Sequence, residues 1–173
     1  MQNFEYCQYT YRHRRAFEYL VNKLFPHDTP AYQIMIMRAR RHDLDKLIMY
    51  QCTSKEEASK IHKATSSHHV HNDKVHDYYD KLEAVLDYEC AGYTKPDKPL
   101  NAWDTILRFQ QQGANPALCE QMLTICRQYG LDGSYRVTET DPDGATYLKK
   151  YDIVTEEMIQ EDIVAYFRGN TPN

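Results

Sequence analysis

Apolar residues recur at helical spacing in stretch after stretch of this 173-residue chain, and capping and stop residues punctuate them. Phe17, Leu20, Val21 and Leu24 share a face of a segment that Asn3 can cap and Pro26 stops. Pro30 suits the first turn of a second helix with Tyr32 to Arg41 as its body, in which Ile34, Met37 and Arg41 share a face. Ser54-Lys55-Glu56-Glu57 is a capping-box pattern opening a short helix through about Lys63. Leu82, Val85, Leu86 and Cys90 repeat helically between about Asp77 and Ala91. Asn101 caps a helix ending before Gly113, Asn115-Pro116 opens another ending at Gly130, and Thr155 caps a last one to about Phe167. One stretch breaks the pattern. A small β-hairpin is expected near 134–149, with Asp143-Gly144 at its turn and Tyr135, Val137 and Tyr147 flanking it. The fold class expected is therefore all-α, a helical bundle in a single domain over 1–173.

Charge and cysteine usage narrow the class of function. A net charge of −4 argues against coating nucleic acid, so a nucleic-acid partner is not expected. The Met-Gln-Asn-Phe start lacks a basic stretch followed by an apolar one, so no secretory signal is expected, and no apolar run reaches a membrane span. Cys7, Cys52, Cys90, Cys119 and Cys126 are scattered and never in C-x-x-C spacing, which reads as buried thiols in a reduced, cytoplasmic setting rather than a zinc ribbon. Fifteen tyrosines leave room for an adhesive face, and hence for a homo-oligomer.

Histidine is distributed unevenly. His13, His27, His42, His62, His68, His69, His71 and His76 account for all eight, and none lies beyond His76. Stepping back four from Phe17 places His13 on the buried face of the first helix. Of three His-Asp dipeptides, His27-Asp28 sits between prolines and His76-Asp77 precedes a helix, where Asp is simply a turn or cap residue. His42-Asp43 instead ends a helix. Asp87 lies inside a helix that is apolar on most sides, a costly place for a carboxylate unless it is paired or binds a cation. Imidazoles and carboxylates from three helices, His13, His42, Asp43 and Asp87, could thus converge on one divalent cation.

Arg41-His42-Asp43-Leu44-Asp45-Lys46 resembles the H-D-x-x-K signature of the HD-domain superfamily of metal-dependent phosphohydrolases, all-α proteins that hold metal by the pattern H…HD…D. Carried across, His13 matches the first histidine, His42 and Asp43 the doublet, and Asp87 the distal aspartate. His68-x-x-x-Asn72, Asp87-Tyr88-Glu89-Cys90-Ala91 and the run from Thr94 to Ala102 are also similar to a small, poorly characterised HD-like family of bacteria and their phages. The resemblance covers about residues 10 to 105. It implies an HD-like core over about 4–112 and a helical extension over about 113–173.

What the resemblance implies is hydrolysis of a phosphomonoester or phosphodiester, nucleotide-like or a small phosphorylated metabolite, through a metal-activated water. His13, His42, Asp43 and Asp87 would bind one divalent ion, with a second left open by the close spacing of His68 and His76. The thiolate-free ligand set suits Mn, Fe, Co, Ni or Mg better than a structural zinc, and the choice of ion among these and Zn stays open. Lys46 would orient Asp43 or neutralise phosphate, His68 or His76 would protonate the leaving group, and Lys95 and Lys98 would contact substrate anions. HD-type nucleotidases often carry Glu three places after the doublet's Asp; here that place is Lys46, so that subtype is not supported. Two other readings stand beside this one: an HD-fold di-iron oxygenase, and a non-catalytic module binding a nucleotide or a protein.

Overall fold

A computed structural model describes residues 1–70, 76–95, 98 and 100–168. His71, Asn72, Pro96, Asp97 and Pro99, on which part of the resemblance rests, lie outside the described residues. Among the described residues the protein is all-α, with no strand. The helices are α1 (Phe4–Leu24), α2 (Pro30–Arg41), α3 (Leu44–Met49), α4 (Lys55–Thr65), α5 (Tyr78–Thr94), α6 (Ala102–Gln111), α7 (Pro116–Gln128), α8 (Val137–Thr140), α9 (Pro142–Leu148) and α10 (Glu156–Phe167). The chain divides into two compact units, one made of 1–66 with 146–173 and the other of 67–145.

In the first unit α1 packs on α2, α3 and α10, and α3 packs on α2, α4 and α10. Cys7, Tyr11, Leu44, Leu47, Tyr50, Ala58, Val154, Ile159 and Ile163 form a shared core, so α10 closes the unit that α1 opens. One local expectation changes. Asn3 makes no side-chain cap; its φ of 54° is left-handed, and its amide donates to the carbonyls of Tyr50 (3.0 Å) and Thr53 (2.9 Å). The amide thus ties the start of α1 to the α3–α4 connection. The α2 face bearing Ile34, Met37 and Arg41 is the exposed one, whereas Met35, Ile36 and Ala39 are buried. Both stripes have helical periodicity, and only tertiary packing chooses between them.

In the second unit α5 packs against α6, α7 and α8. Its N-terminus carries a full capping box, Asp77 accepting from the Asp80 amide (2.8 Å) and Asp80 from the Asp77 amide (3.0 Å). Buried Glu89 accepts from the Tyr135 hydroxyl (2.7 Å) and from the Ala102 amide (2.8 Å), which satisfies an orphan donor at the start of α6. Where the sequence suggests a hairpin, the chain forms α8 and α9. Asp141-Pro142-Asp143-Gly144 is a helix start here. Asp141 accepts from the Gly144 amide (3.2 Å), and Pro142 takes the first helical position, where its missing N–H costs nothing. Asp-Gly suits a tight hairpin turn, but Pro immediately before it favours helix entry.

Gly92 shows how closely α8 approaches α5. A Cβ there would lie 2.4 Å from the Leu100 carbonyl oxygen and 2.4 Å from a Val137 methyl. Gly92→Ala is therefore expected to destabilise by about 1–3 kcal/mol through overpacking, although alanine is the better helix former. Urea denaturation measures this, and a variant as stable as wild type would show that α8 can shift away. Among the described residues no helix is long and apolar enough to cross a membrane.

Candidate metal centre

The turn between α2 and α3 carries the His42-Asp43 doublet. His42 is the C-cap of α2, and Asp43 takes a left-handed conformation (φ 55°) as the N-cap residue of α3. Aspartate tolerates this region better than bulky residues do, and the reversal aims both side chains inward. His42 is 2% exposed and Asp43 5%. α1 brings His13 to the same place, where it is buried, with one turn on either side supplying ring contacts. Tyr9 stacks on His13 (centroids 5.9 Å apart) and Phe17 stacks on His42 (4.1 Å).

The two imidazoles meet through their Nε2 atoms, 3.4 Å apart. That is long for a hydrogen bond between ring nitrogens. Two imidazole nitrogens each about 2.1 Å from a shared ion, at an angle near the tetrahedral one, stand about 3.4 Å apart. One ligand atom each from His13, His42 and Asp43 all lie within 4.8 Å of one another. The donor set, two imidazoles and a carboxylate, thus fits a divalent cation.

Asp43 is held from both sides. Lys46 Nζ donates to its Oδ2 (2.8 Å), one helical turn on, and His62 Nε2 lies 2.9 Å from its Oδ1. Each carboxylate oxygen has two lone pairs, so a carboxylate can accept from more than one partner at once. His62 is fully buried, and its Nδ1 lies 2.7 Å from Asp45 Oδ2, so one ring bridges two carboxylates. Burial raises the Asp45 carboxyl's pKa, but the His62 hydrogen bond and charge outweigh it and hold it below the ordinary carboxylate value.

His62 was not among the residues singled out in the sequence. The signal is faint but readable: α4 is polar except for a narrow stripe, and Ala58 and His62, four apart, are its buried residues. Glu83 was missed in the same way. In the second unit it is buried beside His68, whose Nδ1 lies 3.2 Å from Glu83 Oε1.

The structure brings together four of the sequence-derived residues in the first unit: His13, His42, Asp43 and Lys46. Asp87, His68, His76, Lys95 and Lys98 belong to the second unit. Asp87 is half-buried on α5, and with burial it raises the pKa of neighbouring Tyr88. His76 is half-buried just before α5, with neither ring nitrogen hydrogen-bonded among the described residues. Lys95 and Lys98 are exposed after α5. No protein-family model, curated protein or solved structure matches the chain.

Proposed function

We propose that this protein is a metal-dependent phosphohydrolase of HD type, acting on a small phosphomonoester or phosphodiester. The observation that carries the reading is the facing pair of His13 and His42 nitrogens, 3.4 Å apart with the Asp43 carboxylate beside them. His13, His42 and Asp43 would hold the cation, which when bound supplies Lewis acidity toward a phosphoryl oxygen and acidifies a water. In the hydrolysis a water oxygen bonds to phosphorus, the ester P–O bond breaks, and the leaving oxygen takes a proton.

The chain's own contribution is positioning and charge. His62 and Lys46 lock the Asp43 carboxylate in one orientation. The Lys46 ammonium brings a positive charge beside Asp43, and such a charge suits a phosphoryl oxygen. Asp87 as fourth ligand, His68 or His76 as proton donor, and Lys95 and Lys98 as anion contacts enter the proposal from the sequence reading.

The test uses protein purified without a polyhistidine tag, stripped with chelator and reloaded with Mn²⁺, Co²⁺ or Mg²⁺, against a panel of phosphomonoesters and phosphodiesters. Phosphate or alcohol release that requires metal and disappears in Asp43→Asn is the expected result. Asp87→Asn tests the fourth ligand in the same assay. Metal-loaded protein that hydrolyses nothing in the panel but consumes dioxygen would move the reading to an oxygenase. Ligand binding indifferent to Asp43→Asn and to chelator would move it to a binding module.

A further inference from the structure

The doublet's turn is gripped from behind by a buried ionic set that its own chemistry does not require. Arg14 follows His13 on α1, so the two side chains leave the helix about 100° apart. One meets the His42 ring and the other its backbone. Arg14 Nε donates to the His42 carbonyl (2.8 Å), and Nη2 donates to the Arg40 carbonyl (2.8 Å). Both carbonyls belong to the last turn of α2, where intrahelical partners run out. The remaining arm, Nη1, pairs with Asp162 Oδ2 on α10. Asp162 Oδ1 accepts from Arg15 Nη2 (2.7 Å), and Arg15 is further held by Glu18 (3.0 Å) and lies over the Tyr11 ring (4.6 Å). Arg14, Arg15 and Asp162 are 3%, 7% and 4% exposed.

We propose that Arg14 and Asp162 are positioning residues, through which helix α10 fixes the His42–Asp43 turn in its cation-holding geometry. This inference rests on the metal reading above. Three observations carry it. First, Asp43 is one of two non-glycine residues with positive φ among the described residues, and such a conformation persists only where surroundings over-determine it. Second, two of the three donor directions of the Arg14 guanidinium go to carbonyls at and just before that turn, those of His42 and Arg40, rather than to a carboxylate. A lysine, with one compact ammonium, cannot span two carbonyls and a carboxylate at once. Third, a buried ion pair gives little net stability over apolar residues of similar size, so stability alone is a weak reason for burying this set. The residues after α9, which the sequence leaves without a role, thereby acquire one.

The experiment titrates Co²⁺ into metal-free wild type, into Arg14→Lys, and into the double variant Arg14→Met/Asp162→Leu, which removes both charges so that neither is left buried alone. Visible absorption reports ligand geometry, competition with a chromophoric chelator reports affinity, and circular dichroism with thermal melting reports folding. Wild type is expected to bind one ion. Both variants should bind it roughly 10–100-fold more weakly with a shifted d–d band, as for other partners that orient a metal's ligands. If the double variant does not fold, Arg14→Lys, which keeps the charge beside Asp162, decides alone. Folded variants with wild-type affinity and spectrum overturn the positioning role while leaving the metal centre intact. A wild type that binds no Co²⁺ overturns the metal reading, and the positioning role with it.

Discussion

Protein prepared without a polyhistidine tag is expected to bind about one equivalent of Mn²⁺ or Co²⁺, and His42→Ala to bind none that survives gel filtration. The His42 ring is buried, stacked on Phe17, and aimed at His13 from the end of a helix, so its nitrogen is one half of the facing pair. Losing a direct ligand should exceed the roughly 10–100-fold in affinity that loss of an orienting partner costs. His13→Ala should behave the same way, because each nitrogen is half of the facing pair. The control is His27→Ala. His27-Asp28 is also a His-Asp dipeptide, but His27 is exposed in the α1–α2 turn and stacks on Tyr32 (4.4 Å). Elemental analysis of the four proteins decides. Equal metal in wild type and His42→Ala removes the site, and loss of metal in His27→Ala would mean that binding is nonspecific imidazole chelation.

The second large effect is expected at His62. Replacing it by Ala removes the partner of a 5% exposed carboxylate, strips Asp45 of its contact, and opens a void beside Ala58 on α4. Breaking a buried charged pair by deleting one member costs about 3–5 kcal/mol where no other partner exists. Lys46 remains on Asp43, so a loss of about 2–3 kcal/mol is the expectation, read from urea denaturation of the metal-free proteins. Metal affinity should fall about 10–100-fold as Asp43 loses an orienting contact. His62→Gln, which retains a donor, should recover part of both. Wild-type stability and metal affinity in His62→Ala would show that His62 does not orient Asp43.

The His42-Asp43 doublet and His13 were legible because each sits in a local pattern. The doublet follows a helical stretch and precedes Lys46 by a helical turn, and His13 lies four residues before Phe17 on an apolar stripe. His62 and Arg14 were not legible, for opposite reasons. His62 lies on a helix too polar for its narrow stripe to stand out. Arg14 reads as one more charge among the basic residues of α1, and burial of a guanidinium is visible only once its three acceptors are placed. The hairpin expectation near 134–149 failed on a single local competition, in which Pro142 turned an Asp-Gly turn signal into a helix start.

Local interactions are written in the order of residues. For that reason spacing, caps and prolines are enough to indicate that the chain is all-α and to mark His13, His42, Asp43 and Asp87 as candidate ligands. Which stripe of α2 faces inward, which carboxylate His62 bridges, and that α10 returns 148 positions later to pair Asp162 with Arg14 depend on contacts between segments far apart in sequence. Those contacts are set by which buried surfaces and buried charges can be satisfied together, a condition on the whole folded unit that no window of the sequence contains.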